Sequence, residues 1–168
     1  SSVLAGYTAG TRLESICIVP MISLGNAMST FTAQNIGAGK AERVKKGYRS
    51  SYGIVTVFAV IICVLLYTLR EPLIRMFLEE DGGIVAFETG YAYLSFIAWF
   101  FICIGAKAST DGVLRGAGDV VVFTGANLIN LTIRVVFAKL LAPVIGVAAV
   151  WYAVPIGWTV NYLISVCR

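Results

Sequence analysis

Residues 50–69, SSYGIVTVFAVIICVLLYTL, form a run of 20 residues without a charge. An α-helix rises about 1.5 Å per residue, so a run of this length crosses the roughly 30 Å hydrocarbon core of a bilayer. Four more long apolar runs occur along the chain, one before this segment and three after it. We therefore predict an all-α membrane protein with five transmembrane helices. The predicted spans cover about residues 3–36, 50–70, 88–114, 119–141 and 145–167.

The composition points independently to a membrane environment. Hydrophobic residues make up 58% of the chain and charged residues only 13%, and the mean hydropathy is +0.85. This leaves too little polar surface to cover a soluble globule, so we expect the lipid bilayer to cover the outside. We expect a multi-pass protein of the cell's inner (plasma) membrane.

The residue inventory argues against an enzyme and against a metal site. The chain contains no histidine, and its four cysteines lie apart from one another in apolar runs. No nucleophile and base pair and no metal-ligand cluster is evident, so we expect neither catalysis nor a bound cofactor. Lys and Arg number 13 against 9 acids, but they concentrate in one short segment. We interpret them as orientation signals, and we expect no nucleic-acid partner.

Charge between the runs predicts how the chain is threaded. Residues 40–49 contain five basic residues and one acid, whereas residues 70–88 are mainly acidic. The positive-inside bias therefore places the 40–49 loop in the cytoplasm and the 70–88 loop outside. The chain starts at Ser1 without an initiator methionine, and residues 3–14 are helix-like. We expect a fragment whose upstream part is missing.

Polar residues recur at helical spacing inside the first predicted span. Ser23, Asn26, Thr30 and Gln34 are separated by three, four and four residues, which places them on one face. Such a face is not expected to point at lipid. Glu14, near the outer start of this span, either binds a coupling ion or a cationic substrate, or faces outer-side water.

The fourth predicted span has a similar polar face. Asn127, Asn130 and Arg134 are spaced by three and four residues. Amides at such positions either line a hydrated cavity or form hydrogen bonds between helices. The amides by themselves favour neither interpretation over the other. Arg134 favours the cavity, because a cation in the membrane costs at least about 2.5 kcal/mol unless it is paired or hydrated.

Charges alternate in sign at the end of the third span. Lys107, Asp111, Arg115 and Asp119 follow one another at intervals of four, so each adjoins an opposite charge on a helix. Arg115 and Asp119 are expected to be ordinary solvated charges. Lys107 and Asp111 lie deeper, where a carboxylate paired with a lysine can hold or release a proton.

Two glycine-rich motifs carry a family resemblance. Residues 33–40 are AQNIGAGK, and residues 112–119 are GVLRGAGD. Their order, and the two hydrophobic spans between them, resemble the multidrug and toxic compound extrusion (MATE) family. The resemblance implies a twelve-helix transporter built from two six-helix bundles, of which residues 1–168 are the last five helices. This partial C-terminal bundle lacks its first helix, and the N-terminal half is its missing partner.

The resemblance also implies a function. Members of the family are antiporters in which Na+ or H+ flows inward and drives the export of drugs or small organic cations by alternating access. One departure matters: residues 95–106 contain no acid, although well-known branches of the family carry one before the second motif. The residues of the family's cation site therefore cannot be assigned one by one to positions in this chain.

Two other functions compete with antiport. A lipid-linked sugar flippase of the same superfamily would need a larger and more cationic cavity. A non-transporting membrane scaffold subunit would have its polar stripes satisfied by neighbouring helices. As candidates for the substrate or ion pathway, the sequence offers Glu14, Asn26, Gln34, Lys107, Asp111, Asn127, Asn130 and Arg134.

Overall fold

The computed structural model describes residues 2–78, 83–146 and 148–168. These residues form helices joined by short turns. A 3-10 turn, Ala98–Phe100, joins the helices on either side of it, Gly83–Ile97 and Phe101–Gly116, in one spanning element. The described part therefore contains five helical elements long and apolar enough to cross a membrane, which confirms the predicted fold class. The helices are α1 Ser2–Gly37, α2 Ala41–Phe77, α3 Gly83–Ile97, α4 Phe101–Gly116, α5 Val120–Ile145 and α6 Ala148–Val166.

Both glycine-rich motifs end a helix in the same way. Gly39 and Gly118 have φ values of +68° and +80°, a left-handed conformation that glycine adopts without a steric penalty. The following amides bond back to the helix, from Lys40 N to Asn35 O at 2.7 Å and from Asp119 N to Leu114 O at 2.9 Å. This six-to-one bond is the Schellman arrangement, which closes a helix and turns the chain tightly.

The predicted cytoplasmic loop is largely helical. α2 begins at Ala41, so most of the basic segment forms its first turns. Ala, Arg, Lys and Glu all favour helix, and Glu42 and Lys45 form an ion pair of 2.8 Å one turn apart. The acidic residues 79–81 of the predicted outer loop, and Gly82, lie outside the described residues.

α1 packs against α2, α3 and α4, and glycines let α3 and α4 approach it closely. A Cβ atom at Gly25 would lie 2.6 Å from the carbonyl oxygen of Ala108 in α4. A Cβ atom at Gly6 would collide with the backbone of Ala86 in α3. Small residues at such crossings permit the backbone contact on which packing in membranes depends. α5 packs mainly against α6.

Lipid-facing surfaces remain apolar. Val57 and Leu128 are each 59% exposed, and Val64 is 56% exposed. These faces lie on α2 and α5, as expected where hydrocarbon replaces water. At the predicted cytoplasmic end Arg168 Nε donates to Asp119 Oδ2 at 2.7 Å. This bond holds the pKa of the Asp119 carboxyl below its usual range and ties the end of α6 to the α4–α5 turn.

Candidate functional site

A cavity of about 380 Å³ lies between α1, α4, α5 and α6. Its wall is partly apolar, with Ile18, Ile22 and Trp158, and partly polar. The structure brings together six of the eight residues singled out from the sequence. The six that line the cavity are Asn26, Lys107, Asp111, Asn127, Asn130 and Arg134.

An ion pair occupies the α4 side of this cavity. Lys107 and Asp111 lie one turn apart, and Lys107 Nζ is 2.5 Å from Asp111 Oδ2. Their side chains are only 14% and 8% exposed, so little water screens the two charges. Lys107 also donates to Asn127 Oδ1 on α5 at 3.2 Å, and Ser165 Oγ on α6 lies 3.4 Å from Asp111 Oδ1. The pair thus links three helices.

The amides of α5 present acceptors toward the cavity. Asn127 Nδ2 donates to the carbonyl oxygen of Phe123 at 2.8 Å, which leaves its Oδ1 for Lys107. Asn130 is buried, and its Oδ1 has no hydrogen-bond partner among the described residues. Arg134 is exposed, and within the described ranges no acid forms an ion pair with it. Its side chain runs past Gly157, where an added Cβ would lie 3.0 Å from Arg134 Cγ.

Arg115 is exposed, as predicted for a solvated charge, and it also lines the cavity. It donates to Asn26 Oδ1 on α1 at 3.1 Å, and its guanidinium lies 5.5 Å from the centre of the Phe123 ring. The sequence shows that Arg115 follows Asp111 by four residues, but it does not show that Arg115 contacts Asn26 on α1. The cavity wall therefore contains three cationic side chains and one carboxylate.

Glu14 and Gln34 do not line this cavity. Glu14 is 8% exposed, and its carboxylate accepts a hydrogen bond from the Tyr93 hydroxyl of α3. The Tyr93 ring packs edge-on against Tyr7 and Trp151, with centroids 5.1 Å and 5.6 Å away. The interpretation of Glu14 as facing outer-side water is therefore wrong. Gln34 is exposed near the inner end of α1.

A cluster of hydroxyl groups was missed at the sequence level. Tyr48 Oη lies 2.6 Å from Tyr52 Oη and 2.7 Å from Thr110 Oγ1. Tyr52 Oη also lies 2.9 Å from Tyr162 Oη, so the cluster joins α2, α4 and α6. The sequence signal was the i,i+4 spacing of Tyr48 and Tyr52.

Comparison with known proteins identifies the family. The MatE family model matches residues 1–140, most of the chain. The chain belongs to the MATE family. Its members are helical membrane transporters, and this member is accordingly a multi-pass membrane protein.

Several relatives extend this assignment. The chain is 32% identical over 166 residues to the probable multidrug resistance protein YpnP of Bacillus subtilis, covering 98% of the chain and 36% of YpnP. It is 27% identical over 115 residues to the probable multidrug resistance protein NorM of Thermotoga maritima, covering 68% of the chain and 24% of NorM. It is 34% identical over 76 residues to a FAD transporter of Shewanella oneidensis, covering 45% of the chain and 17% of that protein. This MATE chain spans at most about a third of these relatives.

Proposed function

We propose that this chain provides one side of the transport pathway in a cation-coupled MATE antiporter that exports drugs or small organic cations. The observation that carries the proposal is the Lys107–Asp111 pair, which lies in the partly polar cavity with 2.5 Å between Lys107 Nζ and Asp111 Oδ2. Multidrug resistance proteins among the relatives support efflux as the activity. Na+ or H+ is the proposed coupling ion.

The pair offers a simple way to couple two cations. While the Lys107 ammonium contacts Asp111, the carboxylate is neutralised and needs no further cation. A change in packing that separates the two charges leaves Asp111 free to bind Na+ or H+. Asn127, Ser165 and Lys107 would then reorganise together, because all three are hydrogen-bonded in this cluster. Ion binding would thereby favour one of two arrangements of α4, α5 and α6.

We further propose that the five spans are the eighth to the twelfth of a twelve-helix transporter. The supporting facts are the five spanning elements and the partial coverage of the relatives. In this arrangement the cavity between α1 and α5 opens toward the N-terminal half, and the two halves alternate access around it.

The test is an Asp111→Asn variant of the complete transporter, assayed in proteoliposomes. Export of ethidium by the unmodified protein should depend on an imposed Na+ or H+ gradient. Asp111→Asn should reduce that dependence at least about tenfold, because hydrogen bonds to a charged group are worth roughly 1.5–3 kcal/mol. The matched control is Asp119→Asn, the same chemical change at a carboxylate that does not line the cavity.

The control should retain its response to the gradient. If Asp111→Asn and the unmodified transporter respond equally to both gradients, Asp111 takes no part in coupling and this mechanism is wrong.

One observation favours a second candidate, the efflux of phosphate-bearing aromatic molecules. Lys107, Arg115 and Arg134 line the cavity beside a single carboxylate, and this balance favours an anionic ligand. The relative named as a FAD transporter, and the flippase alternative, both involve phosphates. Transport of flavin mononucleotide in preference to ethidium, in the same proteoliposomes, would select this candidate.

A further inference from the structure

The first turns of α2 carry exposed cations that lack acidic partners. Arg43, Lys46 and Arg49 are exposed, and in residues 2–78, 83–146 and 148–168 no side-chain ion pair or hydrogen bond joins them to an acid. Lys45 differs, because it pairs with Glu42 at 2.8 Å. The three unpaired cations therefore present their charge to the surroundings.

Among the other cations at this end of the protein, Lys40 at the start of α2 is exposed and also lacks an acidic partner among the described residues, whereas two cations on other helices are engaged. Arg168 bonds Asp119 at 2.7 Å, and Arg115 bonds Asn26 at 3.1 Å. The unpaired positive charge is consequently concentrated on α2.

The same face of α2 continues as an apolar surface. From Arg43 to Lys46, Ser50, Val57 and Val64 the intervals are three, four, seven and seven residues, which keeps these side chains on one face. Val57 and Val64 are 59% and 56% exposed. The opposite face is buried and contains Val55, Ala59 and Ile62.

The dimensions of this face match one leaflet of a bilayer. Val57 follows Lys46 by eleven positions, a rise of about 16 Å along the helix, and half of a bilayer's hydrocarbon core is about 15 Å. With the cations at the headgroups, Val57 therefore lies near the bilayer centre. Acyl chains of that leaflet would run along the apolar part of the same face.

We propose that this face of α2, defined by Arg43, Lys46, Arg49, Ser50 and Val57, binds an anionic phospholipid of the cytoplasmic leaflet. The guanidinium groups and the ammonium contact the lipid phosphate, and Arg can do so through two parallel hydrogen bonds. Basic clusters next to a spanning helix attract anionic lipids. The site is independent of the transport cavity, so its failure would leave the proposed antiport untouched.

The test measures lipid binding beside the face itself. A bimane label is placed on a Ser50→Cys variant whose four native cysteines are replaced, and the protein is reconstituted in phosphatidylcholine bilayers. Quenching by brominated phosphatidylglycerol, compared with brominated phosphatidylcholine, gives the relative association constant at this position. We expect a several-fold preference for phosphatidylglycerol, and Arg43→Gln/Lys46→Gln should abolish it, since each cation near the surface contributes a factor of up to about five.

The control removes equal charge elsewhere. Arg12→Gln/Lys139→Gln alters two exposed cations outside the face, and it should keep the preference. Arg43→Lys/Lys46→Arg should keep it too, which separates a loss of charge from a loss of folding.

Two results would overturn the proposal. One is equal quenching by both brominated lipids in the protein with its cations intact. The other is removal of the preference by inorganic phosphate but not by chloride at the same ionic strength, since this would show that the cations recognise free phosphate rather than a lipid.

Discussion

Gly112 is a residue whose role follows from the absence of a side chain. A Cβ atom there would collide with the carbonyl oxygen of Gly25 and would lie 3.1 Å from Met28 Cβ, both in α1. Gly116, one turn later, meets the backbone of Ser29 in the same way. The spacing of Gly112 and Gly116 thus allows α4 to lie directly against α1 along two turns.

Replacing Gly112 with Val should destabilise the protein by about 1–3 kcal/mol, because the added atoms force the two backbones apart. The free energy of unfolding can be measured by SDS titration in mixed micelles, with helicity followed by circular dichroism. Gly53→Val is the matched control, since no atom lies within 4 Å of a Cβ at Gly53. Equal losses in both variants would mean that Gly112 is not a close-packing site.

At the residue scale, sequence reasoning succeeded where partners share a helix. Lys107 and Asp111 are one turn apart, so their contact follows from helical geometry alone. The bonds from Arg115 to Asn26 and from Tyr93 to Glu14 join residues 89 and 79 positions apart. Such contacts depend on how helices pack, which a single sequence does not specify.

Among the elements, the hydroxyl cluster defined by Tyr48, Tyr52, Thr110 and Tyr162 links α2, α4 and α6 near their predicted cytoplasmic ends. Each hydroxyl bond in a membrane interior is worth about 0.6 kcal/mol on average. Their sum is therefore modest.

Tyr162→Phe removes one bond of this cluster, the 2.9 Å contact with Tyr52. We expect a loss of roughly 0.6 kcal/mol in the free energy of unfolding, measured by the same SDS titration. Tyr152→Phe is a control on the same helix, because the Tyr152 hydroxyl has no hydrogen-bond partner among the described residues. A Tyr152→Phe loss as large as that of Tyr162→Phe would contradict a specific role for the cluster.

The helical elements themselves were predictable, because apolar runs long enough to span a bilayer have few other structures available. The sequence did not predict that α2 starts at Ala41 and includes most of the basic segment. Charge was used there to assign the side of the membrane, and the high helix propensity of Lys, Arg, Ala and Glu was overlooked.

At the scale of the whole molecule, two polar stripes from separate helices meet at one cavity. The stripe of α5 and the charges of α4 face each other across about 380 Å³, and α1 contributes Asn26. Six of the eight candidates from the sequence line this cavity, and polar side chains in a membrane avoid lipid. Glu14 does not line the cavity and accepts a hydrogen bond from Tyr93 in a buried aromatic cluster.

The proposed transport pathway requires that water enter this cavity, and cysteine labelling tests the entry of water directly. In protein reconstituted in bilayers without its native cysteines, Asn127→Cys should react with a charged, water-soluble thiosulfonate at least about tenfold faster than Leu128→Cys, because a thiol ionises readily only in contact with water. Leu128 is 59% exposed but does not line the cavity. Equally slow labelling at both positions, under every ion and substrate condition, would contradict the account and favour a membrane scaffold.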